Sequence, residues 1–131
     1  MRFTRVVLQL SSLAYAVVGL SFLAAPAYMA SLVDVGVASA TADNDVRAVY
    51  GGVASGLALF FWLAASRPEW FRPALAAQIF TMGGLAGARF ISWAVAGLPE
   101  PIGYALHLGE IVGFAAGIAA LRQNPPIRRR K

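Results

Sequence analysis

Four ionisable side chains stand in stretches that are otherwise apolar: Arg47, Arg89, His107 and Glu110. His107 is the single histidine of the 131-residue chain, and Glu110 follows three positions later. A helix puts both on one face. Such a pair has the makings of a general base and acid, with Arg89 supplying positive charge for a developing oxyanion. His107, Glu110 and Arg89 are therefore the candidate catalytic residues. Isomerisation or epoxide opening of a hydrophobic substrate suits them, because neither needs a large soluble active site. A lone histidine also suffices as a proximal haem ligand, so haem on His107 is a cofactor variant of the same reading. A metal site built from the chain's own ligands is not expected, since one histidine and no cysteine leave only carboxylates beside two arginines.

The elements that must position these groups follow from composition. Hydrophobic residues make up 59% of the chain and charged residues only 13%, and the mean hydropathy is +0.66. A soluble domain carries about a quarter charged residues, so this balance points to a membrane protein. The net charge of +5 does not point to nucleic acid. Arg2 and Arg5, Arg67 and Arg72, and Arg122 with Arg128, Arg129, Arg130 and Lys131 form clusters that flank apolar runs, as the positive-inside rule predicts. The absence of cysteine excludes disulfides and thiolate chemistry.

Four apolar runs, at about 6–25, 44–65, 71–96 and 102–121, are each long enough to cross ~30 Å of hydrocarbon. The first has the basic start and Ala-rich end of a signal peptide, but it is longer than a usual signal core and reads as a retained span. The chain is expected to be all-α, a four-helix integral membrane bundle, with one domain over 1–124 and a basic tail over 125–131. A long loop joins the first two spans. Its first part, 27–32, is expected to lie as a short helix in the interface, and Thr41 or Asp43 to cap the second span. Pro68 and Pro73 mark the next connection, and Gly97-Leu98-Pro99-Glu100-Pro101 the last.

Nine of the 11 basic residues fall at the N-terminus, in the 67–72 connection and in the C-terminal segment, whereas the other two connections carry only acidic charge. Both termini are thus expected in the cytoplasm, as in a multi-pass protein of the bacterial inner (plasma) membrane. At ~1.5 Å per residue, Arg47, Arg89, His107 and Glu110 all fall in the outer half of the bilayer. Helical spacing gathers Asn44, Arg47, Gly51 and Ser55 on one stripe, Gln78, Leu85, Arg89 and Ser92 on another, and Gly103, His107, Glu110 and Phe114 on a third. Turning these stripes inward removes the charges from lipid, where each costs a few kcal/mol or more (~3 on insertion scales). Trp93 and Tyr50 then lie near enough to wall a pocket. The candidate ligand-binding set is Asn44, Arg47, Tyr50, Gly51, Arg89, Trp93, His107 and Glu110.

A purely structural reading stands beside this one. Arg89 and Glu110 would form a salt bridge that fixes the packing, with His107 donating to a backbone carbonyl. Two arginines against one deep glutamate leave a positive charge in excess, unless Asp43 or Asp45 supplies the missing carboxylate. The spacings Gly52/Gly56, Gly83/Gly87 and Gly109/Gly113/Gly117 are read as close helix approaches, within the chain or in a homo-oligomer.

The stretch Asn44-Asp45-Val46-Arg47-Ala48-Val49-Tyr50-Gly51-Gly52, followed by Arg89, the Gly97-Leu98-Pro99 turn and Glu110, resembles an uncharacterised family of small bacterial four-helix membrane proteins, a domain of unknown function. In that family an aspartate often precedes the turn glycine, whereas Ala96 stands here. The resemblance implies the fold and the choice of residues, and it brings no activity with it. The expected function is a small membrane protein that binds a lipophilic molecule at its charged pocket or serves as an accessory membrane subunit. The alternative is the acid/base enzyme. A transporter fits less well, because four short spans show no inverted repeat.

Overall fold

In the computed structural model, residues 1–124 are described, and the expected basic tail at 125–131 lies outside them. Helix α1 covers Arg2–Ala24, α2 Pro26–Ser31, α3 Ala40–Val46, α4 Ala54–Ala65, α5 Phe71–Ala96 and α6 Pro101–Arg122. A π-helical segment, Arg47–Val53, joins α3 to α4 without a break, and a 3-10 turn, Pro68–Trp70, leads into α5. No strand occurs among the described residues. Four helical stretches are long and apolar enough to cross a membrane: Arg2–Ala24, Ala40–Ala65, Pro68–Ala96 and Pro101–Arg122. The all-α expectation with four helices of membrane length is met, and α5 begins and ends where the third apolar run does, with the 3-10 turn ahead of it.

Local chemistry explains the boundaries. Pro26 cannot donate a hydrogen bond to α1, so the chain kinks at Ala25 and Pro26 opens α2 as its first residue. The expected interfacial helix at 27–32 is this α2, one residue earlier. It ends in a Schellman motif: Val35 N donates to Ala30 O and Asp34 N to Ser31 O, with Asp34 in the left-handed region at φ 56°. The cap of the second span differs from expectation. Ser39, in extended conformation, accepts from Ala42 N at 3.1 Å, so neither Thr41 nor Asp43 caps it. Once the helix starts at Ala40, Thr41 and Asp43 lie inside its first turn, where a cap side chain cannot fold back on the free N–H groups.

The chain divides into two compact units, residues 9–63 and residues 1–8 with 64 onward. In the first, α1 and α4 run antiparallel at close range. Ser12 Oγ donates to Ala58 O at 2.8 Å, and a methyl group at Gly19 would sit 2.5 Å from Ser55 Oγ. Gly51 meets Leu23 equally closely, since a Cβ there would lie 2.9 Å from the leucine side chain. Tyr15 and Phe61 fill the interior, with ring centroids 5.6 Å apart.

In the second unit, α5 and α6 form an antiparallel hairpin whose turn is made by Gly97 at φ 91°. Gln78, 1% exposed, donates from Nε2 to Gly113 O at 2.8 Å. Phe114 covers Gly83, and Met82 covers Gly113. Only part of the glycine expectation holds, because Gly52, Gly56, Gly87 and Gly109 border open space or make at most a grazing contact. Spacing alone does not distinguish a glycine that meets a neighbour from one that faces outward.

Candidate functional site

The α5–α6 hairpin sets Arg89 opposite Glu110, and the same two helices bring Gln78 to the carbonyl of Gly113. Arg89 Nε donates to both carboxylate oxygens, at 2.8 Å and 2.9 Å. Glu110 is 7% exposed and His107 5% exposed. The arginine side chain is 34% exposed, and neither of its Nη atoms has a hydrogen-bond partner among the described residues. Arg89 is thus held from one edge and presents its fork on the other. That fork is the part of a guanidinium that recognises oxygen in pairs.

His107 lies beside this pair without joining it by a hydrogen bond. Its Nδ1 is 3.6 Å from Glu110 Oε2, and both ring nitrogens are buried without a partner. Phe90 meets the ring edge-on at 4.5 Å, and Trp93 packs on it at 4.6 Å. Tyr104 extends this aromatic wall, with its centroid 5.4 Å from that of Trp93. A buried, unsatisfied polar group costs roughly 1–3 kcal/mol, so His107 is a local source of instability. The structural expectation that it would donate to a backbone carbonyl is not met, because neither ring nitrogen has a hydrogen-bond partner among the described residues.

Arg47 finds its partners within the other unit. Its Nη2 pairs with Asp43 at 3.0 Å, one helical turn earlier, and its Nη1 donates to Leu23 O at 2.5 Å. The carboxylate required by charge counting is thus Asp43 and not Asp45. Leu23 O is free to accept because Pro26, three residues on, helps to end α1. Tyr50 stacks on Phe22 at 5.2 Å, Gly51 is buried against Leu23, and Asn44 is exposed. All four candidates at 44–51 lie on or beside the π-helical segment, whose i→i+5 bonds widen the helix and re-aim its side chains. An open groove of about 330 Å³ on this unit is lined by Ser12, Leu13, Ala58, Leu59 and Trp62 and holds no charged group.

Two features of the site escaped the sequence. Phe90 packs on His107, and its signal was its place three residues before Trp93, hence on the same helical face. The π-helical segment has no sequence signature beyond its paired glycines, which accept the altered backbone.

Fold and site define the class: a helical protein with four membrane-length helices and a buried carboxylate ion-paired between the last two. The chain belongs to the DUF4345 family, a domain of unknown function, whose pattern covers residues 3–121. This is an uncharacterised family, as the resemblance implied. No curated protein and no solved structure matches the chain.

Proposed function

We propose that the protein is a multi-pass protein of the bacterial inner membrane, with both termini in the cytoplasm, that binds a lipophilic molecule through the free fork of Arg89. One observation carries this reading. Arg89 spends only Nε on Glu110, its Nη atoms have no hydrogen-bond partner among the described residues, and its side chain is 34% exposed. In hydrocarbon an unpaired donor is costly, so a ligand oxygen there gains a partner that lipid cannot supply.

The charge balance narrows the ligand. Arg89 is neutralised by Glu110 and Arg47 by Asp43, so no net positive charge remains at these positions. A neutral acceptor, such as a quinone, ketone or ester carbonyl, fits this balance better than an anion does. Native mass spectrometry of detergent-purified protein tests it. The wild type is expected to retain a neutral lipophilic adduct that Arg89→Gln loses. Adduct-free wild-type protein, or an adduct indifferent to the substitution, overturns the proposal.

The enzyme reading retains one supporting observation, the orphaned nitrogens of His107. Both oxygens of Glu110 are committed to Arg89, so His107 would have to act as the base without a free acid beside it. Turnover of a hydrophobic epoxide or enone that His107→Gln abolishes would support it.

A further inference from the structure

The arginines of this chain are treated in two ways. Arg47 and Arg89 each hold a carboxylate. Arg2, Arg5, Arg67, Arg72 and Arg122 are all exposed, and among the described residues none of them pairs with one. These five belong to the same compact unit and stand at the ends of its helices: the start of α1, the turn before α5 and the last turn of α6.

Contacts within this unit draw them together and fix three of them. Arg5 Nε donates to Ala65 O at 3.2 Å. Arg72 Nη1 donates to Asn124 O. The same asparagine donates from Nδ2 to Thr4 Oγ1 at 2.5 Å and to Ala120 O at 2.7 Å. The guanidinium of Arg67 lies over the Trp70 ring, 4.8 Å from its centroid. Backbone carbonyls and a ring therefore orient these groups without neutralising them. Among the described residues Glu69 is the single acidic residue in this collar, and it is exposed and makes no ion pair with any of them.

Oriented, uncompensated arginines at a helix end need counter-anions, and their fork geometry matches phosphate oxygens. We infer that this collar binds the phosphodiester headgroup of an anionic phospholipid, and that Arg67 and Arg122, free of hydrogen-bonded ties, close on it. The arginine excess is more than a topological signal, since an orienting signal needs charge and not fixed side chains. The lipid surface is the favoured partner, because the collar sits at the ends of helices of membrane length and Trp70 is an interfacial residue type.

The full chain, purified in detergent and offered equal amounts of phosphatidylglycerol and phosphatidylcholine, provides the test by native mass spectrometry. Preferential retention of phosphatidylglycerol is expected. The double variant Arg67→Gln, Arg122→Gln should weaken that retention by roughly fivefold per arginine. Arg67→Lys, Arg122→Lys should retain most of it, and Arg89→Gln should leave it unchanged, which separates this site from the one proposed above. The single variant Arg122→Gln, exposed and without structural contacts, reads the effect if the double variant is unstable. Equal retention of both lipids, or a glutamine variant that holds phosphatidylglycerol as the wild type does, overturns the inference. Displacement by inorganic phosphate at equal concentration also overturns it, by showing a plain phosphate site.

Discussion

At the scale of residues, buried polar groups differ in whether they find a partner, and His107 and Ser55 find none by hydrogen bond among the described residues. Arg89 and Glu110 satisfy each other, and breaking a buried pair from one side leaves a costly charge behind. Arg89→Ala should therefore destabilise the protein by about 3 kcal/mol, the lower end of the range for buried pairs, because Arg89 is one-third exposed. Thermal unfolding in detergent measures this, and Arg89→Lys should lose less. His107 behaves oppositely. Replacing an unsatisfied group by an apolar one of similar shape is nearly neutral or stabilising. His107→Phe, packed against Phe90 and Trp93, should thus leave the melting temperature unchanged or raise it. A large loss of stability would mean that the imidazole has a partner in the folded protein. If ligand binding falls in a variant that is not destabilised, the histidine serves function at the expense of stability.

At the scale of elements, one glycine decides how closely two helices pack. Gly19 lets α1 reach α4, and Gly19→Ala would force a methyl group to within 2.6 Å of both the Ser55 side chain and its backbone nitrogen. The helices must separate, at a cost of roughly 1–3 kcal/mol. Gly56→Ala borders open space and should be close to neutral, which makes the pair a controlled comparison by chemical or thermal unfolding. Ser39 marks the start of the second span, and Ser39→Ala should cost about 1 kcal/mol with fraying confined to the first turn of α3. Amide exchange at Ala42 reads that fraying directly. The π-helical segment is the element that pattern reading could not reach. Periodicity assumes 3.6 residues per turn, and a wider turn changes which side chains share a face.

At the scale of the whole molecule, the distribution of charge carries the prediction. With no native cysteine, single cysteines report topology without background. Gly36→Cys and Leu98→Cys are expected to react with an impermeant reagent from outside intact cells, and Glu69→Cys only after permeabilisation. The opposite labelling would invert the arrangement and place the arginine collar on the outer surface. Spans, turns and their order were legible because lipid demands long apolar runs, and prolines and glycines mark where those runs end. The choice of Arg89, His107 and Glu110 was legible for the same reason, since an ionisable group inside an apolar run stands out by its cost.

Sequence by itself determined which groups are exceptional and that four helical stretches are long and apolar enough to cross a membrane, because these depend on local composition and length. Tertiary structure decided how the exceptional groups are used. The register of α5 on α6 gave Glu110 to the Nε edge of Arg89, left the Nη atoms without a partner among the described residues and packed His107 against Phe90 and Trp93. The end of α1 gave Arg47 the carbonyl of Leu23, 24 positions away in the chain. A side chain's spacing fixes its face, but its partner comes from another helix. Only packing brings that helix within hydrogen-bond distance.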